Sequence, residues 1–266
     1  MEKRASSTIF YFLYISNMKK LLFVLVVSSL LLVGCKKKGC TDPSATNYDS
    51  SAEKDDGSCV FIYNSGNGVM DIDGNLYETV IIGDQEWMAE NLKTTRYSNG
   101  DAIPLKVDSI NWINFSDAYC VYDNNYENIN NYGNLYNGFS VSDSRGVCPT
   151  GWHVPTDSEF TTLSNYLGGE NIAGGKLKSI CYWVNPVSIS DNSHNGNNQS
   201  GFNGFPGGGR VYNTSFYGFG NTGYWWTSSV NLLNNIINRQ LRGESESIYS
   251  GSADKRLGLS VRCIKD

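Results

Sequence analysis

The clearest amphipathic pattern in the chain predicts a helix near the middle of the sequence. Thr156 and Glu159 have the spacing of a capping box, in which each side chain bonds to the backbone amide of the other residue. Three apolar residues then share one helical face: Phe160, Leu163 and Leu167. Two glycines at 168–169 end this helix. A second helix is predicted over 173–180.

Segments rich in β-branched and aromatic residues predict a series of short strands. They cover residues 76–82, 85–88, 224–229, 235–241 and 258–264. Asn, Ser and Gly dominate residues 185–209, which predicts mostly loop. The sum is an α+β domain with mostly antiparallel short strands, two helices and long loops.

An apolar run from Leu21 to Val33 follows two lysines near the N-terminus and ends at a glycine and Cys35. It is shorter than the about 20 residues of a spanning helix and has the layout of a secretory signal peptide. The Leu-Val-Gly-Cys tetrad ending at Cys35 resembles a bacterial lipobox. This resemblance implies cleavage before Cys35 and a diacylglycerol on its thiol, which suffices for stable membrane anchoring. An uncleaved anchor or an ordinary signal peptide is the alternative.

The chain therefore divides into five predicted parts. They are a signal peptide (1–34, with Met18 as the expected true start), a lipid-anchored N-terminus (35–38), a small cysteine-closed module (39–60), a linker (61–68) and a C-terminal domain (69–266). The expected location is the bacterial cell envelope, as an outer-membrane lipoprotein. The sequence leaves open whether the domain faces the periplasm or the cell surface.

The charge balance excludes one class of partner. The chain has 21 basic and 26 acidic residues, a formal net charge of −5, and no basic stripe, so nucleic acid is not expected to bind. The abundance of Gly and Tyr, with 28 and 17 residues, suits a loop-rich β domain better than a helical one.

The chain has seven cysteines, and the expected export past the inner membrane favours their oxidation. If Cys35 carries lipid, an even number remains, which is compatible with three disulfides of open connectivity. A bridge between Cys40 and Cys59 would close a loop of about 20 residues and stabilise the module by about 3 kcal/mol.

A set of motifs recurs in order along residues 69–266. It comprises VIIGDQEWMAENLKTTRY at 80–97, YGNLYN at 132–137, CPTGWHVPT at 148–156, GF at 201–202, PGG at 206–208, GYWWTSS at 223–229 and SVRC at 260–263. This set resembles the Fibrobacter succinogenes major paralogous domain, found in exported proteins of Bacteroidetes and Fibrobacteres. Residues 39–60 resemble a short Gly-Cys-Thr-Asp-Pro module of secreted Bacteroidetes proteins.

That family in turn resembles the C-type-lectin-like fold of formylglycine-generating enzymes. The resemblance implies a lectin-like domain and a bridge from the start of the helix to the last strand, Cys148–Cys263. Cys120 and Cys181 would then form the remaining pair. The oxidase chemistry of those enzymes needs a reactive cysteine pair near the chain end, where this chain has only Cys263, so the activity is not expected here.

No catalytic residue is assigned. The two histidines, His153 and His194, suit a structural turn and a solvated loop, and hydrolase and P-loop motifs are absent from the sequence. The chain is therefore not expected to be an enzyme. The alternative is an envelope enzyme that acts on glycan or protein through Asp157 or Glu159.

Two acidic clusters raise the question of calcium, which prefers oxygen ligands. One lies in the module: Asp42, Asn47, Asp49, Asp55 and Asp56. The other has an Asp-x-Asp-x-Asn spacing over 71–75, but Ile82 stands where an EF-hand loop has its bidentate Glu. A turn is the favoured interpretation. No cofactor is predicted, and loose calcium binding is left open.

Aromatic residues supply the candidate binding surface. Trp225 and Trp226 are adjacent, so in a strand they point to opposite faces, with one expected in the core and the other free to contact a ligand. The candidate surface comprises Tyr212, Phe216, Tyr217, Tyr224, Trp225 and Trp226, and Phe219 belongs to the same aromatic cluster in the sequence. The sequence thus predicts a non-catalytic, lipid-anchored envelope protein that binds glycan or protein. The alternatives are the enzyme above and a purely structural surface or matrix component.

Overall fold

A computed structural model describes residues 37–184, 194–213 and 215–266. The chain forms two compact units, the first ending at Val60 and the second beginning at Phe61. The predicted signal peptide, Cys35 and the loop segment 185–193 lie outside the described residues. None of the helices in the described ranges has the length and apolar character needed to cross a bilayer.

The first unit is small and closed by covalent and polar links. Its strands β1 (Lys38–Gly39) and β2 (Lys54–Asp55) pair in parallel. The predicted Cys40–Cys59 disulfide is present. Asn47 adds a second closure, because its side chain donates to Ser58 O and accepts from Val60 N. With so few apolar residues to bury, this unit depends on such links.

The second unit contains most of the regular structure. Its first strands are β3 (Asn64–Ser65), β4 (Val69–Met70), β5 (Leu76–Tyr77), β6 (Thr79–Ile82), β7 (Gln85–Met88), β8 (Tyr119–Cys120), β9 (Leu135–Asn137) and β10 (Trp152–His153). The later strands are β11 (Gly207–Arg210), β12 (Phe216–Phe219), β13 (Thr222–Val230), β14 (Ile236–Arg242), β15 (Ile248–Ala253), β16 (Gly258–Leu259) and β17 (Ile264–Lys265). The helices are α1 (Ser109–Ile113), α2 (Ile129–Tyr132), α3 (Gly138–Val141), α4 (Asp157–Tyr166) and α5 (Glu170–Leu177).

The strands form two main sheets. The larger sheet has the order β15-β14-β13-β11-β16-β9-β8, with β12 paired to β11. The smaller has the order β10-β17-β7-β6-β3. Most pairs are antiparallel, and β11 with β13 is a parallel exception. The predicted α+β class is confirmed, but two helices were predicted and the described residues contain three further short ones, α1, α2 and α3.

The capping box begins α4 as predicted. Thr156 Oγ1 accepts from the Glu159 amide, and the Glu159 carboxylate accepts from the Thr156 amide at 2.6 Å. The predicted apolar face, Phe160, Leu163 and Leu167, is buried. The helix predicted over 173–180 is α5, which begins and ends three residues earlier.

Both tryptophans of β13 are buried, so the expectation that one of them is free for ligand is wrong. Trp225 packs with Phe202 and Trp87 in one apolar cluster, and Trp226 packs with Tyr136 in another. The larger sheet is therefore covered on both faces around β13, and each indole has a core of its own.

The side chain of Asn91 links the cluster that contains Trp225 to Arg262 and to the end of α2. Its Oδ1 accepts from Trp225 Nε1 at 2.8 Å and from Arg262 Nη2 at 2.7 Å, and its Nδ2 donates to Tyr132 O. Arg262 is fully buried and also donates to the Phe202 carbonyl. Burial lowers the pKa of Arg262 to about 9. No carboxylate pairs with it among the described residues, so the amide oxygen and the carbonyl carry the compensation.

The cysteine predictions have mixed outcomes. The Cys148–Cys263 disulfide is present, with Cα atoms 6.0 Å apart. Cys120 and Cys181 are free thiols, so the predicted third bridge is wrong. Cys120 lies inside an apolar cluster with Trp112 and the β9 strand, whereas Cys181 is exposed. Burial raises the pKa of the Cys120 thiol to about 11.

The predicted linker at 61–68 belongs instead to the second unit. Asn64 and Ser65 form β3, which pairs with Ile81 and Val80 of β6. Gly66 N continues the ladder by donating to Thr79 O. The glycine and asparagine content of this segment indicated a flexible linker, but its backbone groups pair with β6 and form the edge of the smaller sheet.

His153 ties three parts of the second unit together. Its Nδ1 lies 2.7 Å from an Asp266 carboxylate oxygen and its Nε2 lies 2.9 Å from Glu159 Oε1. Partial burial opposes protonation, but these two hydrogen bonds outweigh it and raise the pKa of His153. An ionised carboxylate accepts hydrogen bonds and has no proton to donate, so each ring nitrogen must be the donor to its carboxylate. The geometry therefore fits the imidazolium form, in which both nitrogens carry a proton.

Replacing Asn91 with alanine should destabilise the fold strongly. The change leaves the buried guanidinium of Arg262 and the Trp225 indole without their shared acceptor. We expect a loss of about 3 kcal/mol in the free energy of unfolding, measured by chemical denaturation. Asn130→Ala is the matched control, because Asn130 is an exposed α2 residue, and similar losses in the two variants would contradict the role of Asn91.

The His153 contacts predict a pH-dependent contribution to stability. Because the folded-state pKa is raised above the ordinary value of 6.5, the contribution is complete below that value. It is lost as the pH rises through the folded-state pKa. Thermal melting should show that the advantage of the wild type over His153→Gln shrinks between acidic and alkaline pH. An advantage that stays constant over this range would refute the prediction.

Candidate functional site

Six aromatic rings form a continuous group on the second unit, which we call the aromatic strip. Its members are Tyr122, Tyr132, Tyr182, Phe205, Phe216 and Phe219. The Phe219 ring centroid lies 4.6 Å from that of Tyr122 and 4.7 Å from that of Tyr132. The Tyr182 and Phe205 centroids are 5.6 Å apart. These separations are those of rings in direct contact.

The strip is open to solvent along part of its length. Phe219 is 41% exposed and Tyr182 is 50% exposed, whereas Tyr132 is buried beneath them. Burial raises the pKa of Tyr132 to about 12. The buried Tyr132 ring thus packs against the rings of Phe219 and Tyr182 and holds them in position, while both remain exposed to solvent.

Local backbone geometry places the rings. Gly208 of β11 has φ +63°, and a Cβ there would come within 2.3 Å of Tyr217 O and 2.8 Å of the Tyr122 ring. Only glycine therefore lets β12 and Tyr122 approach β11 so closely. Tyr182 has φ +72°, an unfavourable conformation for a bulky residue, and this turns its ring towards Phe205 and Tyr132.

Polar side chains border the strip beside Tyr122. Asp123 and Asn124 both have left-handed backbone conformations, with φ of +54° and +51°. The Asn124 amide donates to Val121 O and holds this turn. Both side chains are exposed, and neither forms a hydrogen bond with another described residue. The border therefore offers a carboxylate and an amide with free hydrogen-bonding capacity.

The predicted surface residues separate into groups. Phe216 belongs to the aromatic strip. Tyr217 and Tyr224 pair with each other at 5.2 Å and pack against the cluster that contains Trp226. Tyr212 is exposed but lies next to Arg256, 5.2 Å from its guanidinium.

Four strip residues were missed by the sequence analysis: Tyr122, Tyr132, Tyr182 and Phe205. They come from separate turns and a short helix, and no local pattern joins them. The family motifs gave a partial indication for one of them, because Tyr132 is the first residue of the YGNLYN motif.

The carboxylates of the enzyme alternative are engaged in structural contacts. Asp157 accepts from Arg239 Nε at 2.7 Å, and Glu159 accepts from Thr156 and contacts His153. A cleft of about 550 Å³ lies beside Glu159 and Glu86. Glu86 is itself paired with Lys265 at 2.7 Å. Glu159 and Glu86 are therefore already engaged by partners within the fold.

The candidate calcium ligands also have internal partners. Asp71 accepts from the amides of Asp73 and Asn75 and from the Tyr77 hydroxyl. Asp73 in turn accepts from Thr95. Within the described residues there is no group of three or more His, Cys, Asp or Glu side chains arranged to hold a metal ion.

Comparisons with known proteins give one match over most of the chain. Residues 80–265 match the Fibrobacter succinogenes major domain. A segment of 24 residues is 71% identical to ribulose bisphosphate carboxylase/oxygenase activase 1, chloroplastic, of Larrea tridentata. That segment is 9% of this chain and the chain spans 5% of the activase. No solved structure matches the chain.

The domain match includes the strands and helices that carry the motifs, the Asn91 contacts and the whole aromatic strip. It covers more than half of the sequence and agrees with the resemblance that those motifs indicate. The chain belongs to the Fibrobacter succinogenes major domain family.

Proposed function

We propose that this protein is a lipid-anchored component of the bacterial cell envelope whose C-terminal domain binds a glycan without catalysing a reaction. The observation that carries the proposal is the aromatic strip with its free polar border. The anchor is supported by the tetrad that ends at Cys35 and by the apolar run before it. The outer membrane remains the expected location.

The chemistry of the strip matches that of a sugar chain. A pyranose presents a face of C–H groups that packs on an aromatic ring, and hydroxyls around its rim that need hydrogen-bond partners. The exposed rings of Phe219 and Tyr182 supply the first kind of contact. Asp123 and Asn124 supply the second at the same border. Rigid aromatic contact area with a few polar groups is typical of small-ligand sites.

The contacts of the candidate catalytic acids favour a binding protein over an enzyme. The acids that a hydrolase would need, Asp157 and Glu159, are engaged with Arg239 and with Thr156 and His153. The six residues of the aromatic strip do not include a pair of side chains that could act as nucleophile and general base. A general base must reach the proton it removes, and these acids are turned to partners inside the fold.

Removing exposed rings from the strip should weaken glycan binding. We expect Phe219→Ala and Tyr182→Ala each to lower affinity about fivefold to tenfold, since a stacked ring contributes about 1 kcal/mol. Binding would be measured by calorimetry with the polysaccharide that a panel of envelope glycans selects. Tyr166→Ala is the control, because Tyr166 is an exposed aromatic residue on α4 that lies outside the strip. Equal losses in all three variants, or no glycan bound by the wild type, would contradict the proposal.

The anchor has a separate test. Cys35→Ser removes the thiol that would carry the diacylglycerol, so the protein should move from the membrane fraction to the soluble fraction of the cell. Fractionation with immunodetection measures the change, and Cys181→Ser, which alters a free thiol elsewhere, should leave the distribution as it is. Unchanged membrane association of the Cys35 variant would refute lipid anchoring there.

A further inference from the structure

The hairpin between β13 and β14 carries an exposed apolar tip. Leu232 is fully exposed, Leu233 is 80% exposed and Val230 is exposed beside them. We call these three residues the leucine tip. Isolated exposed leucines are common, but adjacent leucines at a projecting turn expose apolar surface that a partner could cover.

The turn that carries the tip is well held. Asn231 Oδ1 accepts from the amides of Leu233 and Asn235, and Asn231 and Asn235 also pair through their backbones. Asn234 adopts φ +60°, which asparagine tolerates. The amides of Asn231, Leu233, Asn234 and Asn235 are therefore satisfied within the hairpin, and the leucine side chains project from a well-ordered turn.

The charge pattern around the tip is unusual for this acidic chain. The sequence has 26 acidic residues, yet none lies between Asp191 and Glu244, the stretch that includes the whole hairpin. Of the two charged residues of the hairpin, Arg239 is buried and paired with Asp157 and Glu170, which leaves Arg242 as the partly exposed one. Asp157 lies beside Ser229 of the hairpin, and its carboxylate is paired with Arg239. A surface that approaches anionic groups or leaves water benefits when it contributes no unpaired carboxylate.

Cations lie next to the base of the hairpin. Ile236, just after the tip, pairs with Ala253 at the end of β15, and the chain continues into Lys255 and Arg256. The Arg256 guanidinium lies 5.3 Å from the exposed ring of Phe115. Asp254 is in this turn too, and it is paired with Arg256 at 2.8 Å. Basic side chains and an exposed aromatic ring thus lie near the base of the hairpin that carries the tip.

We propose that the leucine tip inserts into the surface of a lipid bilayer. A projecting tip fits a medium that deforms around it, and exposed Leu and Phe with neighbouring Lys and Arg have the composition of interfacial membrane contacts. Insertion to a depth of about 5–10 Å would bury both leucines while the basic side chains stay among the headgroups. The proposal uses the proposed lipid anchor only to bring the domain near the membrane.

Fluorescence of the full chain on vesicles tests this contact. Leu233→Trp places an indole on the tip, and Leu76→Trp places one on the exposed β4–β5 hairpin as the control. Vesicles of phosphatidylethanolamine and phosphatidylglycerol would carry bromine on their acyl chains, which quenches nearby indoles. After subtraction of the parent signal, we expect a blue-shifted and quenched emission for L233W and an unquenched emission for L76W.

The outcomes separate the tip from the anchor. Flotation of the full chain with vesicles reports the anchor, whereas quenching at position 233 reports the tip, so each proposal fails by its own measurement. Equal emission from L233W and L76W on vesicles overturns the insertion. A blue shift of L233W without lipid that grows with protein concentration overturns it as well, since a second copy of the chain then covers the tip.

Discussion

The amide of Asn91 is the contact on which the rest of the second unit depends. Its oxygen accepts from the Trp225 indole and from Arg262, and its nitrogen donates to Tyr132 O. One short side chain thereby joins β13, the C-terminal segment and the residue beneath the exposed rings. Hydrogen bonds to a charged group in a buried site are stronger than those in water, and leaving them unmade is costly. The position of the aromatic strip therefore follows from the packing of the core.

Two buried arginines of this fold, Arg239 and Arg262, are stabilised by different kinds of partner. Arg239 uses carboxylates, since it bonds to Asp157 and Glu170 and so joins β14 to α4 and α5. Arg262 uses an amide oxygen and a carbonyl, and its guanidinium lies 4.1 Å from the Phe202 ring. Aromatic faces offer partial compensation for a cation that has left water. The second arrangement explains why the pKa of Arg262 is lowered by burial while its side chain remains a donor.

Local signals predicted the elements well, and contacts between distant residues decided the rest. The capping box and apolar face of α4 could be located because their residues are neighbours in sequence. Opposite directions for Trp225 and Trp226 were predicted correctly, but the two separate cores that bury them are built from residues far from them in sequence. The aromatic strip unites rings from Tyr122 to Phe219, and strand alternation carries no information about such an assembly. The sequence also could not predict that Cys120 is a buried free thiol, because its neighbours in space come from α1 and β9.

The position of the last strand has a consequence for biogenesis. β17, at Ile264–Lys265, lies inside the smaller sheet between β10 and β7, and the neighbouring Cys263 closes the bridge to Cys148. The smaller sheet consequently lacks the strand between β10 and β7 until residues 264–265 have been synthesised. A partly synthesised chain that stops before this strand therefore leaves the facing edges of β10 and β7 unpaired, and the smaller sheet assembles only once the strand is available.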